Sequence, residues 1–353
     1  MKYYKRVISL NNLDERLKLD VENGVFPGMN YGIVSSEDIM GSVGYKQLVP
    51  NKEKLDMDTL YDVASLTKVI VTVPLICKLI CDKGMLFADK VQKYLPRFKY
   101  DDVTIYHLLS HSSGLPADLD SKEIVPKQTI LDEVYSKDKI YETGKDVVYS
   151  DLGYILLGEI IEKVYNKPLD IVANEEIFFP LQMYNTSYNP IDVQDCAPTE
   201  VSSRGLLIKG YVHDEKAFSM NGVAGHAGVF SNVSDLMKFV KMILNNGVYN
   251  NKQFLPKDMI DLWFRPMVYE KQNERTRSLC WITGVNDIVC KEGENVISFS
   301  GFTGPSLSID RDRKLGIVLM TNRVHPTRDN RKLTAERPLI SKEIYDSLYT
   351  KHR

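Results

Sequence analysis

Ser65 and Lys68 stand three residues apart in Ser65-Leu66-Thr67-Lys68, directly before an apolar run at residues 69–80. On a helix this spacing puts a hydroxyl and an amine on one face, about one turn apart. A serine hydroxyl is inert near neutral pH, and burial of a neighbouring lysine can depress the amine's pKa enough for it to take the hydroxyl proton. A helix N-terminus at the same place leaves the Ser65 N–H free to stabilise an oxyanion. The competing reading is a capping serine with a surface lysine. The same spacing recurs at Ser136 and Lys139, and S-x-x-K arises about once or twice by chance in such a chain. That second copy has charged neighbours and no apolar run behind it, so it reads as a solvated face.

Two later segments can serve the same chemistry. Tyr149-Ser150-Asp151 follows polar Lys145-Asp146 and precedes an apolar helical pattern. A loop tyrosine shuttles protons where a nearby ammonium lowers its pKa; in isolation the tripeptide is a half-buried tyrosine ahead of a serine or aspartate helix cap. In Phe299-Ser300-Gly301-Phe302-Thr303-Gly304 the glycines let a strand backbone approach a ligand closely, or else mark a weakened edge strand or bulge.

Other chemistry-bearing residues are weaker candidates. His107 and His111 are four apart, a spacing that suits a metal pair on one helix face, but no third ligand is evident and no metal or other cofactor is expected. Arg323, His325 and Arg328 form a basic cluster able to receive an acidic substrate group, unless they are solvated loop charges. The five cysteines, at 77, 81, 196, 280 and 290, are odd in number and scattered, as reduced thiols in a reducing compartment are. Cys77 and Cys81 share an apolar helix face with no histidine nearby, which is core packing.

The elements that must position these groups follow from periodicity. Residues 28–34 and 40–45, around the turn-like 35–38, predict a β-hairpin. Helical patterns cover 69–80, 105–110, 130–135 and 152–164; in the last, Leu152, Ile155, Leu156, Ile160 and Ile161 recur at helical spacing. Residues 306–310 and 315–320 predict a second hairpin, with one strand apolar enough to be buried on both faces, and a helix follows at 339–350. Strands, helices, strands, helix is the order of an α/β (α+β) fold: an antiparallel sheet flanked by helices, with an inserted, mostly helical lobe. The division expected is a sheet domain from residues 1–70 and 205–353 and a lobe at 71–204, with the active site between them.

Composition excludes several function classes. In 353 residues, 43% hydrophobic and 26% charged side chains are ordinary globular usage. Forty-five basic against 47 acidic residues give a net charge of −2, so no basic field recruits nucleic acid. The basic N-terminus is followed by an apolar stretch of only residues 7–10, too short for an export signal. The run at 69–80, broken by Thr72, Pro74 and Lys78, falls short of the roughly 18 to 20 residues of a spanning helix. A cytoplasmic location without a membrane span is therefore expected.

Taken in order, Ser65/Lys68, Tyr149/Asp151 and 299–304 resemble the S-x-x-K, Y-x-N and K-T-G (or H-T-G) triplet of serine β-lactamases, penicillin-binding proteins and related hydrolases. Phe26-Pro27-Gly28, residues 61–68 and residues 103–116 resemble the same superfamily, and the match spans nearly the whole chain. Residues 212–217, 222–231 and 321–330 resemble a narrower branch of class C β-lactamase-related proteins that includes N-acetylmuramoyl-L-alanine amidases trimming muropeptides of the bacterial cell wall. The resemblance implies a β-lactamase/transpeptidase-like fold in which Ser65 attacks a carbonyl, Lys68 takes its proton and Tyr149 relays protons. The N–H groups of Ser65 and Phe302 would form the oxyanion hole. Asp151, Phe299, Ser300, Gly301 and His226, between glycines in a segment of the branch, would line the substrate site, and no metal is required.

Two departures from the pattern matter. Asp151 stands where asparagine is usual, and its carboxylate favours the ammonium form of Lys68. Phe299 stands where lysine or histidine is usual, and a phenyl ring neither donates to a substrate carboxylate nor holds charge near Tyr149. Recognition of a β-lactam carboxylate should suffer. The reading is a serine hydrolase forming an acyl-enzyme on Ser65 and cleaving an amide or ester in a small molecule or short peptide such as a muropeptide. The alternatives are a carboxylesterase or weak β-lactamase, and a catalytically impaired binding or sensor protein of the same fold.

Overall fold

The computed structural model describes residues 11–121, 123–202, 205–284, 286, 288–289 and 295–349. Cys290 and the basic N-terminal residues 1–10 therefore lie outside the described residues.

The first helix, α1 (Asn11–Glu22), leads into the expected hairpin, β1 (Gly28–Val34) and β2 (Ile39–Gln47), to which the short β3 (Glu53–Lys54) adds. β4 (Tyr61–Asp62) ends just before the Ser65 turn. A helical stretch follows: α2 (Val73–Lys83), α3 (Ile105–Leu109), α4 (Lys127–Ser136), α5 (Asp151–Tyr165) and α6 (Leu169–Ala173). Every hydrophobic residue from Val69 to Cys77 is fully buried, so the apolar run is a core helix. Among the described residues no helix is long and apolar enough to cross a membrane.

The chain returns through β5 (Ser187–Tyr188), α7 (Glu215–Ser219), β6 (Val229–Ser231), α8 (Val233–Leu244), the small hairpin β7 (Val248–Tyr249) and β8 (Lys252–Gln253), and α9 (Lys257–Phe264). It closes with β9 (Val268–Glu270), β10 (Arg275–Arg277), β11 (Ile282–Thr283), β12 (Val296–Ser300), β13 (Ser306–Asp310), β14 (Leu315–Thr321) and α10 (Lys332–Tyr349). Both expected hairpins are present, and β1 pairs antiparallel with β14, fusing the two strand groups into one nine-stranded sheet ordered β3-β2-β1-β14-β13-β12-β11-β10-β9. The chain thus folds as antiparallel sheet with helices, as its pattern predicts.

All seven residues of β14 and of β1 are buried, because helices cover both faces there. α8 lies across these two strands. Its buried Val233, Leu236, Met237, Val240 and Ile243 recur at helical spacing, and the Asn232 side chain caps it by accepting the Asp235 N–H at 3.0 Å. The segment 299–304 is no edge strand: β12 runs inside the sheet, between β11 and β13. Its C-terminal residues Phe299 and Ser300 are held by β13, opposite Leu307 and Ser306.

Candidate functional site

The Ser65 turn is a strained loop rather than a regular helix start. Ala64 has φ of 46°, a left-handed conformation costly for a residue with a side chain. It is held there by Asp62, whose carboxylate accepts the Ala64 N–H at 2.8 Å and the His213 N–H at 2.7 Å. Tight turns follow at Leu66, Thr67 and Lys68, and Lys68 opens a π-helical turn, Lys68–Thr72, before α2. Lys68 is fully buried while Ser65 faces a cleft.

The ammonium of Lys68 donates to Ser65 Oγ and to the His226 carbonyl, each at 3.0 Å, and forms an ion pair with Asp151 Oδ1 at 2.8 Å. Burial opposes that charge, but the negative potential of Asp151, helped by Tyr149, outweighs it and raises the Lys68 pKa above its ordinary value. Asp151, against its own burial, is held below the ordinary carboxylate range by Lys68, His226 and Lys216.

Behind Asp151 lies a chain of alternating charge that no spacing in the sequence shows. Lys216 Nζ is 3.7 Å from Asp151 Oδ2, 3.2 Å from Asp214 Oδ2 and 2.8 Å from Asp118 Oδ1, and Asp214 Oδ1 meets His226 Nε2 at 2.7 Å. Asp151, Asp214 and His226 converge closely enough to hold a cation, and the Lys216 ammonium already bridges the two carboxylates. Gly225 is required beside this network, since a Cβ there would sit 2.2 Å from the Tyr154 carbonyl of α5. Its carbonyl accepts the Thr72 hydroxyl at 2.6 Å, tying this segment to the Lys68 helix.

Tyr149 closes another side. The Ser150 side chain caps α5, and the Ser150 N–H donates to His111 Nδ1 at 3.0 Å. The Tyr149 ring lies 4.6 Å from the His111 ring, 4.9 Å from Lys68 Nζ and 5.4 Å from the Arg277 guanidinium, measured between centres. Burial pushes the Tyr149 phenol up to about 12 despite the opposing charge of Lys68, so it rests as the neutral phenol. Burial, with the charges of Arg277 and Lys68, holds His111 well below its ordinary value, as a neutral ring. His107 instead packs back on Thr104 in a capping box, so the two histidines are not a metal pair.

Segment 299–304 docks on the Ser65 turn. A Cβ at Gly301 would lie 2.3 Å from the Val63 carbonyl, so only glycine allows this approach, and the Thr303 hydroxyl donates to the Asp62 carbonyl at 2.7 Å. Among the described residues neither the Ser65 N–H nor the Phe302 N–H has a hydrogen-bond partner. Phe299 is buried, its ring against Tyr149 and Trp281, and lines the cleft with Ser300, Gly301 and Phe302.

The cleft has a volume of 290 Å³, and besides Ser65 and Tyr149 its walls include Arg275, Arg277, Arg323 and Arg337. Two expected wall residues do not line it. His226 is buried behind Lys68, offering its carbonyl to the amine and its ring to Asp214, and Asp151 serves the two lysines. The basic cluster near the C-terminus also separates. His325 Nε2 accepts the Leu48 N–H at 2.9 Å, and Arg328 pairs with Glu200 and Glu215, which leaves Arg323 in the cleft. The groups that spacing did not reveal are Asp214, Lys216 and Arg277, and His111 was noted only for its spacing from His107, not for its place beside Tyr149; residues 212–217 were singled out only by resemblance.

The chain is similar to several known proteins. An N-acetylmuramyl-L-alanine amidase of Bacillus subtilis (strain 168) is 31% identical over 364 residues, covering 90% of this chain and 81% of that protein. A class C beta-lactamase structure superposes with a TM-score of 0.75 at 19% identity, over 96% of this chain and 99% of the other. The octameric penicillin-binding protein homologue from Pyrococcus abyssi gives 0.74 at 21% identity, over 94% and 77%. The pattern of the Beta-lactamase family matches residues 13–341, and the chain, a hydrolase of that serine hydrolase superfamily, belongs to the Beta-lactamase family.

Proposed function

We propose that the protein is an acyl-enzyme hydrolase that uses Ser65 to cleave an amide, or an ester, in peptides derived from peptidoglycan. The observation that carries this reading is the 3.0 Å contact of Lys68 Nζ with Ser65 Oγ, beside a cleft that Ser65 and Phe302, whose N–H groups have no partner among the described residues, both line. The amidase named above is similar over most of both chains and supports the substrate class.

In this reaction Ser65 Oγ bonds to the substrate carbonyl carbon and its proton passes to the neutral amine of Lys68. The oxyanion takes hydrogen bonds from the N–H groups of Ser65 and Phe302. The leaving amine or alcohol departs with a proton relayed through the Tyr149 hydroxyl. Water then attacks the ester carbonyl, releasing the acid and returning the proton to Ser65. Arg, His and Asp side chains behind these groups hold them in place and do not enter the bond changes.

The test combines fluorophosphonate labelling with mass mapping and hydrolysis of muropeptides by the wild type and Ser65→Ala. An adduct on Ser65 and loss of turnover in Ser65→Ala support the proposal. A folded protein that binds muropeptides but neither labels at Ser65 nor turns them over refutes it and leaves the second reading, a binding or sensor protein. The observation favouring that second reading is the 2.8 Å pair of Lys68 with Asp151, which holds the amine in its protonated, non-basic form.

A further inference from the structure

The walls of the cleft are rich in guanidinium groups, and their pairing differs. Arg275 and Arg277, on β10, both donate to the Glu270 carboxylate, and Arg277 also donates to the Cys280 carbonyl at 2.9 Å. Arg337, on α10, donates to the Gly304 carbonyl at 2.9 Å. Arg323, just past β14, is 8% exposed and stacks at 4.7 Å on the Phe302 ring. Its Nη1 donates to the carbonyls of Arg328 and Asn330, and among the described residues no carboxylate pairs with it.

A buried cation normally has a counter-charge, because desolvating an isolated guanidinium is costly. Arg323 has only carbonyl dipoles and an aromatic face. Burial and the neighbouring Arg331 charge also bring its pKa below the ordinary arginine value, the direction expected of an uncompensated cation. The Phe302 ring is itself stacked on His213 at 5.6 Å, which fixes the platform on which the guanidinium lies. The fork is thus anchored on one nitrogen within the cleft that Ser65 opens into.

We propose that Arg323 is the specificity-determining cation of the site, receiving a carboxylate of the substrate close to the bond that Ser65 attacks. It takes over, from a different element, the recognition that Phe299 in β12 cannot provide, since a phenyl ring has no donor. The substrate class is then an amide or ester carrying a free carboxylate near the scissile carbonyl. This inference rests on the acyl-transfer reading of Ser65 and deepens it.

The experiment uses the full chain and two matched substrate pairs: mono-p-nitrophenyl glutarate against p-nitrophenyl valerate, with the acid on the acyl side, and hippuryl thioglycolic acid against its carboxamide, with the acid on the leaving group. The wild type should prefer the acid of at least one pair. Arg323→Gln should lower the ratio of kcat/KM for that acid to kcat/KM for its neutral partner by about tenfold to a hundredfold, the worth of a hydrogen-bonded charge. Arg323→Lys should retain part of the preference, and it keeps the test decisive should Arg323→Gln fail to fold, as judged by circular dichroism. Equal loss on acid and neutral substrates, or no preference by the wild type in either pair, overturns the assignment. Neutral ester turnover abolished by Ser65→Ala reports separately on the nucleophile, so failure of that reading is distinguished from failure of this one.

Discussion

Asp151→Asn isolates the effect of the carboxylate on Lys68. With Nζ and Oδ1 2.8 Å apart, an effective dielectric constant of about 20 gives a Coulomb attraction on the order of 6 kcal/mol. That is a ceiling of about 4 pK units at 1.36 kcal/mol each. The asparagine carbonyl dipole keeps part of the field, so a fall of about 2 units is the working expectation, and the burial that already opposes the charge acts in the same direction. If neutral Lys68 is the base, activity rises with pH as the amine deprotonates, and lowering its pKa moves that rise to lower pH. The profile of kcat/KM for a neutral p-nitrophenyl ester from pH 5 to 10 should show its acid limb displaced downward by about 2 pH units in Asp151→Asn. Turnover at pH 7 should increase by about tenfold, less than the gain in free amine because a weaker base is less effective. Loss of turnover across the whole range in a folded Asp151→Asn protein would refute the reasoning. It would show that the carboxylate is itself needed to take the proton, with Lys68 only passing it on.

The same charge network predicts the opposite displacement elsewhere. Lys216→Met removes the cation 3.7 Å from Asp151, so Lys68 should hold its proton more tightly and the acid limb should move to higher pH; an unchanged limb would sever Lys216 from the site. Gly301→Ala places a methyl 2.3 Å from the Val63 carbonyl and should spread the Ser65 turn from the Phe302 N–H, cutting kcat by about a hundredfold or more, with circular dichroism still showing a folded protein. Phe299→His restores a donor on β12 and should raise nitrocefin turnover several-fold from a poor starting rate; rapid nitrocefin turnover by the wild type would contradict the role given to Phe299.

Much of the frame was legible because it rests on local pattern. Two-residue alternation and apolar runs located both hairpins within a residue or two, and the fully apolar β14 announced a strand covered on both faces. Ser65 and Lys68 were legible from an amine three residues after a hydroxyl at the mouth of a buried helix. The segment 299–304 carried its own clue in the glycine that the Val63 carbonyl demands. What spacing could not show is contact made across the sheet and between distant turns. His226 was expected at the substrate because it sits between glycines in a segment resembling the branch, yet its ring meets Asp214 and the adjacent Gly225 packs against α5.

The two departures from the family pattern have physical counterparts in the fold. Asp151 adds a negative charge next to Lys68, and Lys216, from α7, adds a positive one on the far side of the same carboxylate. Phe299 removes a donor from β12, and Arg323 presents a guanidinium to the same cleft from the segment after β14. In each case the charge comes from an element more than 20 residues away in sequence, so it stays invisible until the sheet order brings β12 and β14 to either side of β13 and α7 near the start of α5. A site that exchanges its charges between elements keeps the acyl-transfer geometry of Ser65 and changes what that geometry selects. Swapping one member of either pair alone should therefore disturb acidity or specificity before it disturbs the nucleophile.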